Sequence, residues 1–344
     1  MLCWLAIGLF QRIYAQTTSI GIQGNKFLIN NTPTYQGTKV EGLLLNARMV
    51  QGIFDDENNA TRPLWVYPDT KQWDAARNTM EFVRAMPAWR QSGLLSFTLN
   101  LQGGSPTGYN NAKPWLNSAF DPTGGLKPAY LARLKQILDK ANQLGMAPIL
   151  GLFYFGQDQH LQNEQAVVRG VNLILSWLHT NNFKHVMVEV DNECDNAYHH
   201  AILRCGRVPE LIRRVQARGF LTSVSLRGGV IPPKPIVEVS DFILLHGNGV
   251  HDPRRITDMI RAARKASARP KPILVTEDDH FNFNKTPNNF QNALNEYASW
   301  GFFDPGASDY ATGFQCPPVQ WQINTQRKKD FFQMVKRMTT TRIP

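Results

Sequence analysis

From about residue 78 onward the chain alternates short apolar runs with amphipathic stretches, and this rhythm limits its fold more than any other feature of the sequence. Residues 80–91 predict a helix and residues 93–101 a buried strand. Pro128–Leu144 carries Tyr130, Leu131, Leu134, Ile137, Leu138 and Ala141 on one stripe and is closed by Gly145, the pattern of an amphipathic helix with a glycine stop. Strands are then predicted at 147–155, 186–193, 221–226, 242–246, 272–277 and 309–314. Helices at 165–179, 210–218, 255–266, 290–300 and 327–338 alternate with them. Residues 38–44 supply a first strand, and 26–35 read as a hairpin turning on Asn-Asn-Thr-Pro. Eight strands alternating with helices predict an α/β protein, a single (β/α)8 TIM barrel with an N-terminal β-hairpin. An open doubly wound sheet alternates in the same way, but it usually carries a Gly-x-Gly-x-x-Gly first turn, and none follows the first strand here.

Composition fits one large core. Of 344 residues, 42% are hydrophobic and 19% charged, and no linker, charge block or low-complexity tract divides them, so residues 16–344 are expected to form one domain. Residues 1–15 read as a signal peptide, with an apolar run and Ala15 before the cut, although a basic start is missing and Arg12 follows the run. The run is far shorter than a membrane span, so no stable membrane insertion is expected after cleavage, and a secreted or periplasmic location follows. In such a compartment Cys194 and Cys205 are spaced to be able to pair, with Cys316 outside the pair. The formal charge of +10 suits acidic polymers in general, but the cations are scattered over helical stretches without interleaved aromatics. Solvated helix faces explain them better than a nucleic-acid partner.

The densest chemistry lies at residues 185–195, His-Val-Met-Val-Glu-Val-Asp-Asn-Glu-Cys-Asp, where a valine-rich strand ends in carboxylates. Acidic groups at the mouth of an apolar core are costly to desolvate and tend to mark a site that uses them; a solvated strand end is the plainer reading. Barrel topology brings strand ends together, and two of them carry glutamates: Glu193 on the fourth strand and Glu277 on the seventh. Two facing carboxyls suit glycosidic cleavage, in which one stays protonated for the leaving oxygen while the other attacks or activates water.

These segments resemble a known family. Residues 186–193, Val-Met-Val-Glu-Val-Asp-Asn-Glu, look like the fourth strand of the retaining glycoside hydrolase clan that contains cellulases, β-mannanases and β-galactosidases. Residues 272–277, Pro-Ile-Leu-Val-Thr-Glu, are similar to its seventh strand, and Phe27-Leu-Ile-Asn with Gly37 and Gly42 to its N-terminal hairpin. The resemblance implies Glu193 as acid/base, Glu277 as nucleophile, Asn192 as donor to the sugar 2-hydroxyl and His246 beside the pair. It implies no cofactor and no metal, and a carbohydrate, possibly a polysaccharide, as partner. It also suggests Trp321 as a sugar platform, with packing the alternative. The chain departs from the clan in Cys194, where proline is frequent, and in Asp278-Asp279, where an aromatic and glycine are. An arginine that many members carry on the second strand has no counterpart beside Asn100 and Gln102, and Asn100 is taken as a sugar-binding candidate there.

Tyr154, in Phe153-Tyr154-Phe155, either stacks on sugar or completes core and rim. Residues 51–76, with Trp65, Tyr67 and Trp73, read as an ordered ligand-facing loop. His199-His200 suggests a metal pair, but adjacent residues do not share a helix face, which favours an exposed segment. The leading expectation is a retaining β-glycoside hydrolase acting by double displacement; the rival is an inactive carbohydrate-binding barrel. A metal-dependent hydrolase would want His-x-His on the first strand, which 35–44 lacks.

Overall fold

Strands form where β-branched and aliphatic residues alternate between two apolar surroundings, and the computed structural model, which describes residues 17–109, 112–306 and 312–342, places eight of them in parallel succession. The predicted leader, residues 1–15, lies outside the described residues. Three short antiparallel strands come first: β1 (Ile20–Gln23), β2 (Lys26–Ile29) and β3 (Thr32–Pro33). The parallel strands are β4 (Asn46–Ala47), β5 (Thr98–Asn100), β6 (Ile149–Tyr154), β7 (Met187–Asn192), β8 (Thr222–Ser223), β9 (Ile243–His246), β10 (Ile273–Glu277) and β11 (Gly301–Phe302). Between them run α1 (Ala75–Gln91), α2 (Pro128–Leu144), α3 (Glu164–Thr180), α4 (Pro209–Gln216), α5 (Lys234–Val239), α6 (Pro253–Ala266) and α7 (Asn289–Asn295), and α8 (Gln326–Thr340) follows the last strand.

The parallel strands fall into sheets of four, two and two, joined by single bridges and hydrogen bonds. β4 meets β5 through the Arg48–Thr98 bridge, β5 to β8 pair in chain order, and β9 pairs with β10. Just before β9, the Asp241 amide donates to the Thr222 carbonyl at 2.9 Å, linking β8 to the next strand. Bridges Leu274–Ser299 and Asp278–Phe302 join β10 to β11, which pairs in parallel with β4.

Pleating divides each strand between two interiors. On β7, Val188 and Val190 join the large core with helix residues such as Leu175 and Ile212, whereas Met187 meets Leu44, Leu95, Ile149, Phe242, Leu244 and Leu274 in a smaller cluster. Phe27 of β2 completes that cluster and lies edge-on to Phe242, with ring centroids 6.0 Å apart. The antiparallel strands therefore pack where the parallel strands begin, leaving the ends where they finish for the site. Helix starts are satisfied locally: Asp74, Asn163 and Thr325 accept from the amides of Arg77, Ala166 and Lys328.

Two predicted strands lie elsewhere. Residues 38–44 form turns, because Gly42 takes φ +81° under Lys26 and the Tyr297 hydroxyl, and the strand begins only at Asn46. Among the described residues the last parallel strand is Gly301–Phe302; of the predicted strand 309–314, residues 309–311 lie outside the described residues and 312–314 are bends. α7 stops at Asn295, and Gly301 fits because the Asn46 side chain and the Val275 carbonyl occupy the space a Cβ would need. α5 has no counterpart among the predicted helices; its Pro235 stands in the first turn, where proline is tolerated. Among the described residues no helix is long and apolar enough to cross a membrane.

Candidate active site

β7 ends in a conformation that no strand continues. Glu193 adopts φ +62°, the left-handed region, and its amide donates to the Ser225 hydroxyl at 3.0 Å while the Cys194 amide donates to the Ser225 carbonyl at 3.0 Å. Left-handed backbone at a non-glycine residue persists only where its surroundings hold it. Here the Cys194–Cys205 disulfide, with Cα atoms 4.9 Å apart, closes the segment after it. Cys316 is buried outside that bond, its Sγ donating to the Pro305 carbonyl. On β10 the ladder shifts register between Val275 and Glu277, so that Glu277 stands opposite His246 at the end of β9. A bulge of this kind re-aims the side chain that follows it.

The two glutamates meet around His246. Its Nδ1 lies 3.1 Å from Glu193 Oε1 and its Nε2 3.5 Å from Glu277 Oε1. One oxygen from each glutamate and a ring nitrogen of His246 fall within 4.8 Å of one another. Asn196 Nδ2 donates to Glu193 Oε2 at 2.9 Å. The cation missing from the sequence reading is Arg48, just past β4 and wholly buried: its Nε donates to Glu277 Oε1 and its Nη2 to Asn192 Oδ1, both at 2.9 Å. Because the guanidinium can only donate, it fixes the Asn192 amide with oxygen inward, which leaves the NH2 group to serve the cleft.

Charge and burial act together on this cluster. Burial pushes the Glu193 carboxyl up, but the hydrogen bond and charge of His246, followed by Arg48 and Asn196, outweigh it and hold the group below its ordinary value. Burial dominates at Glu277; Arg48 and His246 offset it only in part, and the neighbouring Glu193 and Glu189 add to it, so Glu277 lies above its ordinary value. His246 would be driven down by burial, yet the two glutamates raise it above the usual imidazole range. These directions favour a proton on His246, one hydrogen bond from Glu193, in the free cluster.

These groups open onto a cleft of about 550 Å³ whose lining includes Tyr154, Phe155, Lys113, Asn248 and Arg227. Tyr154 is therefore at the site, with its hydroxyl 2.6 Å from the Ser105 hydroxyl and its ring stacked on Phe155. Two candidates are not. Asn100 is buried on β5 level with Gly151 and Glu189, below the cleft. Trp321 is 1% exposed, stacked on Phe314 and edge-on to Phe82 at 4.7 Å, and its Nε1 donates to Asn78 Oδ1. It is a packing residue: Trp321→Ala is expected to cost about 3–5 kcal/mol in urea unfolding, with affinity for any bound sugar unchanged in the fraction that stays folded.

Residues 51–76 do not line the cleft either. Asp56, fully buried, accepts from Trp65 Nε1, Thr61 and the Leu116 and Asn58 amides, drawing Trp65 into a small cluster with Phe54 and Trp115. His199 and His200 offer their amides to Asp158 Oδ2, and the His200 ring contacts the Leu161 carbonyl, so they make no metal pair. Asp195 pairs with Arg227. Glu189 and Asp191 are buried with no hydrogen bond to their carboxyl oxygens among the described residues; burial, then Glu189, pushes the Asp191 carboxyl well up.

No family model and no curated protein sequence matches this chain. Solved structures do. A glycoside hydrolase family 5 mannosidase from Rhizomucor miehei is 13% identical, with 94% of this chain and 97% of that one covered at a TM-score of 0.54. A glycoside hydrolase family 5 protein from Bacteroides vulgatus is 12% identical over 94% and 71% of the two chains, at 0.59. The β-mannanase of the blue mussel Mytilus edulis is 11% identical over 94% and 98%, at 0.56. At such identities the likeness concerns the fold, and it implies a (β/α)8 barrel.

Proposed function

We propose that the chain is a retaining β-glycoside hydrolase on a closed (β/α)8 barrel, with Glu277 as nucleophile and Glu193 as acid/base. The observation that carries this reading is that one oxygen of each carboxylate and a ring nitrogen of His246 lie within 4.8 Å of one another at the floor of an open cleft, which is in keeping with a closely spaced pair. Retaining enzymes hold their carboxyl groups about 5–5.5 Å apart, whereas inverting ones leave about 6.5–9.5 Å for a water. A pair separated well beyond glycosidase distances of either kind would have favoured an inactive sugar binder.

Double displacement needs Glu277 ionised and Glu193 protonated, one proton over the pair. His246 supplies it: transfer from Nδ1 to Glu193 Oε1 turns imidazolium and carboxylate into imidazole and carboxylic acid. Glu193 then protonates the departing glycosidic oxygen as Glu277 attacks the anomeric carbon, and it takes a proton from water when the glycosyl-enzyme is hydrolysed. Loss of the proton that His246 and Glu193 exchange then sets the alkaline limb of activity. Asn192 NH2 is placed to donate to the sugar 2-hydroxyl, a contact that strengthens as the ring becomes oxocarbenium-like.

The disulfide is in keeping with export into an oxidising compartment, as the apolar leader suggests. The mannosidase and β-mannanase among the structural neighbours put mannosides first in a substrate panel. Purified protein is expected to hydrolyse aryl β-glycosides or β-linked oligosaccharides, with proton NMR showing the β-anomer of the product before mutarotation. Oligosaccharide binding without hydrolysis, or an initial α-anomer, defeats the proposal.

A further inference from the structure

The loops following β9 and β10 meet beyond the catalytic cluster in a pair of histidines that the proposed chemistry does not use. His280 Nε2 and His251 Nδ1 are 3.1 Å apart, with ring planes crossed at 78°. The other nitrogen of His280, Nδ1, is 2.6 Å from Asp278 Oδ1. Asp278 is fully buried and firmly held: Oδ1 also accepts from the His280 amide and Asn289 Nδ2, and Oδ2 accepts from Trp300 Nε1 at 2.9 Å. The carboxylate therefore keeps the His280 proton on Nδ1 and turns the Nε2 lone pair outward, towards His251.

We infer that His251 and His280 form a binding site for a divalent transition ion of the zinc type. Two imidazole nitrogens bound to one tetrahedral zinc, at about 2.0–2.1 Å each, lie about 3.3 Å apart, close to the spacing already present. A ligating histidine whose second nitrogen donates to a carboxylate is the usual supporting arrangement, since it fixes the tautomer and raises the basicity of the ligating nitrogen. Asp278 and Asp279 lie close to His280 and could themselves approach an ion, but in this arrangement they support its Nδ1 side. Asp279 Oδ1 lies 3.2 Å from His280 Nδ1 and accepts from the Gly249 amide, while Oδ2 accepts from the Tyr109 hydroxyl. His251 is exposed, leaving the remaining coordination positions to water or to a group arriving from solvent. Neutral imidazole favours zinc, copper or nickel over calcium or magnesium.

The test is equilibrium dialysis of the full chain against Zn2+ alone, read beside thermal unfolding. Wild type is expected to take up one saturable equivalent and to gain Tm as zinc is added, because an ion that binds only the folded state stabilises it. His251→Ala should lose both effects while folding normally, as His251 is exposed; His280→Ala should lose them too, from a lower starting Tm because buried Asp278 loses a donor. Asp278→Asn keeps both ligands and should weaken binding about 10–100-fold. The Glu193, His246 and Glu277 cluster is the competing position, so Glu277→Gln should retain the equivalent if the site is at His251 and His280. Absence of saturable uptake by wild type, or its persistence in His251→Ala, overturns the inference and leaves a histidine–histidine hydrogen bond only. The measurement does not involve sugar turnover, so its outcome is separate from that of the proposed activity.

Discussion

Glu277→Gly is expected to remove several orders of magnitude of kcat on an activated aryl β-glycoside, and azide is expected to restore turnover while forming the α-glycosyl azide. Without the carboxylate no glycosyl-enzyme forms, and the space left beside the anomeric carbon admits a small anion to the face that Glu277 occupied. A single displacement from that face inverts the centre. Glu193→Ala behaves differently under the same assay. An activated aryl leaving group needs little protonation, so the first step survives; the glycosyl-enzyme accumulates because nothing deprotonates the attacking water, and about 10²–10⁴-fold is lost. Azide, which needs no general base, releases the β-glycosyl azide instead. Opposite configurations of the two azides distinguish nucleophile from acid/base, and the same configuration from both variants would refute the assignment. Thermal unfolding of each variant separates chemistry from folding, because Glu277→Gly leaves Arg48 without its closest carboxylate.

The part of this site that the sequence makes legible is the part whose pattern is long enough to count. β7 shows itself through the alternation of Val186, Val188 and Val190 with acids, and β10 through the run Ile-Leu-Val-Thr ending in Glu277, so counting strands finds both glutamates, and the family resemblance adds Asn192 and His246. Arg48 escapes because its strand is two residues long and follows an apolar run folded into turns, so the run attracts the strand assignment and the cation after it looks incidental. β11 is hidden for the same reason. Trp321 shows a different limit. A tryptophan near the last strand has the same sequence signature whether it faces sugar or core, and only its neighbours Phe82, Phe314 and Asn78 decide. Trp65 likewise looked ligand-facing until buried Asp56 supplied an inward partner for its indole nitrogen.

Arg48→Met is expected to be the most damaging change outside the two glutamates, and its signature is in the pH profile as well as in the rate. Arg48 is the largest of the influences that lower the Glu277 carboxyl, and it works against a burial that raises it. Removing the guanidinium lets burial and the nearby Glu193 and Glu189 charges push Glu277 further up. Attack requires the ionised carboxylate, so activity falls as pH drops through that pKa, and the acid limb of kcat/KM must move to higher pH. Breaking a buried ion pair from one side costs about 3–5 kcal/mol because it strands the other charge, and here that charge can be relieved by taking up a proton. The variant should therefore lose far more activity at acid than at alkaline pH. Arg48→Lys is not expected to rescue it, for one planar group now reaches Glu277 through Nε and Asn192 through Nη2, and an ammonium is a point charge without that fork. A lysine variant would recover some of the acid limb through its charge but not the contact that orients Asn192, so the loss remaining at the pH optimum measures the positioning role separately from the electrostatic one. An acid limb unmoved in Arg48→Met would mean that the guanidinium does not set the ionisation of Glu277.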